Sequence, residues 1–290
     1  QLTMTLMTLL PICLTLIMFA MGLGLGVKDF KRVIETPKAI GAGLAGQLIL
    51  LPLIAMGCAF VFDLSPTMAA GLLLLSLCPG GITSNLIAKL AKADEALSVS
   101  LTTISSLIGV FSVPILFNLL IANFGVESAA FVLPLLDTIK EIFSLTVLPV
   151  SAGMLIAHFT PTYRANLERW FTRIGTVSFI ILVFLIWKDQ FDMITESFAS
   201  VGPAAITLNI VSMITGAGLG IVLGLNKQQT TTMCLEVGIQ NSALTFFIAY
   251  NLLGSPELTI AAACYSPIMF ITAMLIPVYQ RFNNRDSAIA

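Results

Sequence analysis

Charge is what this sequence has least of. Lys and Arg (14) with Asp and Glu (15) make up only 10% of its 290 residues, against about a quarter in soluble domains. No basic tract is present that could serve a nucleic acid, and a net charge of −1 selects no partner. Histidine occurs once, at His158, which excludes a histidine metal cluster and a His-Glu-x-x-His hydrolase. No pair of acids sits at the centre of an apolar stretch, so general acid–base machinery is absent and the chain is read as no enzyme. The five cysteines (Cys13, Cys58, Cys78, Cys234, Cys264) fall inside apolar stretches without metal-ligand spacing. They read as buried, reduced thiols rather than disulfides.

What is there is hydrophobic: 57% of residues and a mean hydropathy of +0.99. This composition predicts an all-α integral membrane protein. Residues 2–26 form a first span, too long and uniform for a cleaved signal peptide and with no basic region before it. Its exit, with Gly22, Gly24 and Gly26, lets a neighbouring helix approach closely. Further spans are read at 39–62, 66–91, 94–124, 126–159, 166–187, 199–224, 228–253 and 257–280, nine in all. In 126–159 an interfacial lead-in carrying Asp137, Lys140 and Glu141 precedes the crossing. The basic residues sort by side. Lys28, Lys31, Arg32, Lys38, Lys89, Lys92, Arg164, Arg169, Arg173, Lys227, Arg281 and Arg285, 12 of the 14, share one side. The positive-inside rule then places the C-terminus in the cytoplasm and the N-terminus outside, in the cell's inner (plasma) membrane.

Two of these spans are interrupted. One carries Cys78-Pro79-Gly80-Gly81-Ile82-Thr83-Ser84-Asn85, the other Cys234-Leu235-Glu236-Val237-Gly238-Ile239-Gln240-Asn241-Ser242. Gly81 and Gly238 lie 157 residues apart. An ionised carboxylate such as Glu236 costs about 2.5–3.5 kcal/mol at a span centre even on a lenient scale, so it demands partners. Gly80, Gly81 and Gly238 permit unwinding, which frees carbonyl and N–H groups. Paired breaks in corresponding halves of a chain are a pointer to a transporter site near the bilayer midplane. The offset divides the chain into two inverted repeats, 1–125 with four spans and 126–290 with five, the first lacking one leading helix. Ser98 and Thr102 share a helical face that can turn toward the first break, whereas Ser105 and Ser106 are read as bonding back to their own helix. Gln47 reads either as interhelical glue or as a ligand, and Glu236 either as a cation ligand or as an acid held protonated by its surroundings.

Pro79-Gly80-Gly81 with Ser84-Asn85, the run from Ala96-Leu97-Ser98 to Thr102-Thr103, Glu236 to Ser242, and Ile17 to Leu23 resemble the bile acid:sodium symporter family over nearly the whole chain. The resemblance implies two crossed discontinuous helices in a core domain (37–125 and 199–282) moving against a panel domain (1–36 and 126–198). It also implies two sodium ions. The first would use Ser84, Asn85, Ser98, Thr102 and Glu236; the second would use Gln47, Glu236, Gln240 and backbone carbonyls at Val237 and Ile239. Hydroxyl, amide, carbonyl and carboxylate oxygens suit a hard cation, so the residue types agree. An organic anion, a bile acid or smaller carboxylate, would then sit by the half-helix N-termini at Ile82, Thr83, Asn241 and Ser242. Ile82, and Met269-Phe270 where polar side chains are expected, make that surface more apolar than the family pattern. The reading is a sodium-coupled importer working by alternating access, with lipid around it. An exporter or antiporter of the same fold, or a gated channel, stays open as the alternative.

Overall fold

A computed structural model describes residues 2–121 and 131–289. In chain order its helices are α1 (Leu2–Gly24), α2 (Val27–Glu35), α3 (Pro37–Ala45), α4 (Leu51–Val61), α5 (Pro66–Leu77), α6 (Ile82–Leu90), α7 (Glu95–Ile121), α8 (Leu135–Phe159), α9 (Arg164–Asp189), α10 (Phe191–Val222), α11 (Lys227–Gly238), α12 (Ser242–Phe247) and α13 (Thr259–Ile289). A turn of π-helix at Gly46–Leu50 joins α3 to α4, and another at Ile248–Leu252 extends α12. The described residues form no strand. The expected repeat boundary at 125 and 126 lies outside the described residues.

Among the described residues seven helical stretches can cross a membrane by length and composition, with α3 and α4 counting as one. The pair α5 and α6, bent by 63° at its break, makes an eighth. The ninth expected crossing is α11 with α12. Its first half opens on Lys227-Gln228-Gln229-Thr230-Thr231-Thr232, too polar to qualify on composition. The burial pattern is that of a protein in lipid. Phe111, Ile115 and Leu119 on α7 face outward, while Gln47, Ser84, Ser98, Thr102, Glu236 and Gln240 are buried. A soluble fold would invert that arrangement.

Packing gathers the helices into two sets. α1 lies against α8 and α9; α10 lies against α11 and α13; α5 packs on α4, α7 and α13. The glycine-rich end of α1 does what its composition suggests. A methyl on Gly22 would strike the carbonyl of Val150, and one on Gly153 would strike the backbone at Phe19 and Leu23. The two helices therefore touch backbone to backbone, a spacing only glycine allows.

Boundaries differ from the sequence reading in several places; α13, for one, runs to Ile289 rather than ending at 280. α10 starts at Phe191 rather than 199, because its first turns carry Asp192 and Glu196 and so look unlike a span, yet they form regular helix with Ile194 buried. α8 is one continuous helix from Leu135, not a lead-in followed by a crossing. Its Asp137 and Lys140 side chains are 78% and 75% exposed and pair at 3.5 Å.

Candidate functional site

The two breaks touch. α5 ends at Leu77, Cys78 and Gly81 have extended backbone, and α6 restarts at Ile82. α11 ends at Gly238, and α12 restarts at Ser242 with Asn241 as its N-cap. The Asn241 N–H donates to the Pro79 carbonyl at 2.9 Å, and the Thr245 hydroxyl donates to Cys78 Sγ at 3.2 Å. Gly238 itself stays helical, a correction to the reading that it unwinds: the break begins one residue later, at Ile239. Its lack of a side chain serves packing instead, because a methyl there would strike Met213 Cγ.

Three helices carry the first set of oxygens. Ser84 and Asn85 lie in the first turn of α6, Ser98 and Thr102 one turn apart on α7, and Glu236 in the last turn of α11. The register between α7 and α11 is fixed where α7 begins, against the middle of α11. The Asp94 carboxylate caps α7 through the Leu97 N–H at 3.0 Å, and the Thr232 hydroxyl donates to the Asp94 carbonyl at 3.0 Å. The hydroxyls then converge on the acid. Ser98 donates to Glu236 Oε1 at 2.5 Å and Thr102 to Glu236 Oε2 at 2.8 Å. Asn85 Oδ1 lies 2.8 Å from the Ser98 hydroxyl and 3.2 Å from that of Thr102. Ser84 Oγ is 3.4 Å from Thr102 Oγ1 and donates to the Gly81 carbonyl at 2.7 Å. Each hydroxyl has one proton. The two protons of Ser98 and Thr102 therefore face three acceptors, Asn85 Oδ1 and both oxygens of Glu236, which leaves one acceptor for a further positive partner, a bound cation or a proton on Glu236 itself.

A second set lies beside Gly80. The Gln47 amide donates to the Glu236 carbonyl at 2.7 Å, and that of Gln240 to the Val237 carbonyl at 2.8 Å. These bonds fix both amide orientations and leave Gln47 Oε1 and Gln240 Oε1 buried without a donor among the described residues. The Ile239 carbonyl also receives no hydrogen bond from them. A methyl on Gly80 would sit 3.1 Å from Glu236 Oε2, 3.4 Å from Gln47 Nε2 and 3.7 Å from the Ile239 oxygen, so this glycine keeps space open among donor atoms. Its φ is not positive; the residue is small for room, not for backbone freedom. Because α11 ends at Gly238, Glu236 and Gln240 do not share a helical face. The Gln240 side chain folds back onto its own chain instead.

The four expected substrate positions line one small cavity of about 20 Å³ at the crossing, with Ile17, Gly175, Thr176, Phe179 and Met269 opposite. Asn241 Oδ1 caps the Leu244 N–H at 3.1 Å, which turns its Nδ2 away from that cap. That donor and the Ser242 hydroxyl are buried with no partner among the described residues. Ile82 and Thr176 also line a larger cleft, about 650 Å³ and open to solvent, that runs past Asn85, Lys89, Glu95, Glu168, Arg169 and Arg173.

Sequence reasoning passed over three side chains that hold the second break. Asn209 Nδ2 (3.0 Å) and the Tyr265 hydroxyl (2.8 Å) donate to the Gly238 carbonyl, and the Thr272 hydroxyl donates to Asn209 Oδ1 at 2.6 Å. A lone Asn inside an apolar span was the available signal. Ser105 bonds back to its helix, as read. Ser106 Oγ does not; it has no partner among the described residues.

Among the described residues no group of three or more His, Cys, Asp or Glu could hold a transition metal. One buried carboxylate among neutral oxygens, set between two broken helices of a membrane bundle, defines the class of ion-binding membrane carriers. The chain belongs to the Sodium Bile acid symporter family, whose model matches residues 11–197. It is 31% identical over 247 residues to the human ileal sodium/bile acid cotransporter, covering 84% of this chain and 69% of that protein. Over 274 residues it is 26% identical to an uncharacterized sodium-dependent transporter of Bacillus subtilis, covering 94% and 80%. A probable chloroplastic sodium/metabolite cotransporter of Oryza sativa subsp. japonica is 27% identical over 278 residues; the match covers 94% of this chain but spans only 64% of that relative. The family and these relatives are transporters, not enzymes.

Proposed function

We propose that this chain is a sodium-coupled secondary transporter that imports an organic anion, a bile acid or smaller carboxylate, by alternating access. The observation that carries the reading is the surplus of acceptor oxygens over protons around Glu236. A hard monovalent cation satisfies that surplus without a second carboxylate, and the relatives' names make sodium the ion to expect. Two ions fit the donor sets: one among Ser84, Asn85, Ser98, Thr102 and Glu236, the other among Gln47, Glu236, Gln240 and the Val237 and Ile239 carbonyls. Two cations on one carboxylate leave the site net positive. The free donors of Asn241 and Ser242 then seat an anionic head, with Ile17, Ile82, Phe179 and Met269 against an apolar body.

Alternating access needs a core that moves against a panel. The packing of α1 on α8 and α9 supports taking α3 to α7 with α10 to α13 as core and α1, α8 and α9 as panel, whereas α2, expected in the panel, packs on α7 and α3. The offset between the breaks supports two inverted repeats and nine crossings. The cleft beside Arg169 and Arg173 opens on the side that the basic residues assign to the cytoplasm. Toward the other side, hydrogen bonds join panel to core. Asp189 on α9 accepts from Tyr250 (2.8 Å) and, within the panel, from Thr3 (3.3 Å); Asn251 donates to the Met7 carbonyl at 2.8 Å, and Trp187 donates to the Ala263 carbonyl at 3.0 Å. This arrangement is inward-facing, with the outer side latched. Tyr250→Phe removes a hydrogen bond to a carboxylate that exists only while the latch is shut. The outward-facing fraction should rise about tenfold, read as faster labelling from outside of a cysteine at Thr83. An unchanged rate would remove Tyr250 from the latch.

The experiment that tests the function is cation-dependent thermal stability of the detergent-solubilised chain. Sodium should raise the melting temperature saturably, by the equivalent of about 2.7 kcal/mol per ion at a hundred times its Kd. Potassium at matched ionic strength should not. Equal stabilisation by both ions would eliminate a selective sodium site.

A further inference from the structure

In a continuing helix the carbonyl of Gly238 would accept from the N–H of residue 242, but the Ser242 N–H is turned to the Gln240 carbonyl at 3.0 Å. Two side chains from different helices take its place, Asn209 from α10 and Tyr265 from α13. Both are fully buried, and Thr272 fixes the Asn209 amide by donating to its oxygen. The residue that follows, Ile239, is extended, with φ −109° and ψ 120°. Across an extended residue the flanking carbonyls point in opposite directions. A Gly238 carbonyl held toward α10 and α13 therefore sends the Ile239 carbonyl the other way. That is where it lies, toward Gly80, Glu236 and Gln47.

We infer that Asn209 and Tyr265 are positioning residues for sodium: by clamping the Gly238 carbonyl they aim the Ile239 carbonyl into the second donor set. The inference rests on the sodium-transport reading of that site. Generic support of a broken helix would be expected at both breaks. Across the offset of 157 residues, however, Asn209 and Tyr265 correspond to Pro52 and Ile108, which donate nothing. Among the described residues this clamp is found at the break that carries the acid. Tyr265 also reaches Asn209 Nδ2 at 3.3 Å, so the two donors act on the carbonyl as one unit.

The test is the sodium midpoint of thermal stabilisation for the purified full chain and four variants. Tyr265→Phe keeps the ring and removes one donor; Thr272→Val releases the Asn209 amide; Thr272→Ser retains the hydroxyl. Asn118→Ala is the control. Asn118 also braces backbone through two bonds, both 2.9 Å, to Leu133, but away from either break. Tyr265→Phe and Thr272→Val should each raise the midpoint about fivefold, the equivalent of one net hydrogen bond. Thr272→Ser should keep the wild-type midpoint, and Asn118→Ala should lower the melting temperature while leaving the midpoint alone. A lower melting temperature with an unmoved midpoint in Tyr265→Phe and Thr272→Val overturns the inference, as does an equal midpoint shift in Asn118→Ala. A wild-type chain that does not respond to sodium at all removes the transport reading first, and the clamp's role with it.

Discussion

Glu236→Ala should abolish sodium-dependent uptake, by more than about 100-fold, and the saturable sodium stabilisation with it. Removing one partner from a buried ionic set costs about 3–5 kcal/mol, because the remaining charge is left uncompensated. Here the remaining charge is the ion, and the result is that it no longer binds. Both donor sets share this carboxylate: its oxygens face Ser98 and Thr102 on one side and Gly80 on the other. No other charged side chain is buried among the described residues, so nothing nearby can substitute. Glu236→Gln separates charge from volume, since the amide fills the same space and can still accept from a hydroxyl. It should fold and insert, and it should fail to respond to sodium nearly as completely. Gln47→Ala reaches only the second set, so it should weaken sodium affinity and coupling while one ion still binds. If Glu236→Ala takes up substrate with unchanged sodium dependence, both donor sets are misassigned.

Glu236 was legible in the sequence because a lone acid in an apolar span has few inexpensive explanations. Ser98 and Thr102 were legible for a different reason: their spacing places both on one helical face, and they follow directly after the first break. The break at Cys78 to Gly81 reads correctly because proline and two glycines end a helix by themselves. The second break is subtler. Its only glycine remains helical, and the unwinding falls on Ile239, Gln240 and Asn241, where no residue type demands it. What holds that segment open is tertiary: Asn241 bonds to Pro79 across the crossing, and Asn209 and Tyr265 bond to Gly238 from other helices. Such partners are 27 and 29 residues apart or far more, and no local pattern encodes them. The same holds for Asp189 and Tyr250, 61 residues apart. The start of α10 was hidden because Asp192 and Glu196 belong to a helix that extends beyond its apolar part.

Cysteines placed by Thr83→Cys and Thr176→Cys, in a chain whose own five cysteines are replaced, should react with aqueous thiol reagents supplied from the cytoplasmic side. Sodium together with substrate should protect them, and neither should protect fully alone. The argument runs from the geometry of the crossing. Thr83 stands at the start of α6 and Thr176 faces it from α9, on the wall of the cavity where Asn241 and Ser242 hold free donors. Thr176 also lines the wide cleft beside Arg169 and Arg173, so reagent entering there reaches the crossing. The backbone at Asn241 touches Pro79 on one side; on the other, its chain leads through Gln240 and Ile239 to the oxygens around Glu236. An ion that orders those carbonyls therefore orders the segment that receives the anion, and the coupling must be reciprocal: sodium tightens substrate by the factor with which substrate tightens sodium. Protection should follow the product of both ligands and vanish in Glu236→Ala, which leaves the cavity lining intact but removes the ions. Labelling that stays equal with and without the two ligands would mean that the cavity is not the substrate site. Positions that stay unreactive from either side in every condition would mean that the breaks are packing kinks with no access to water.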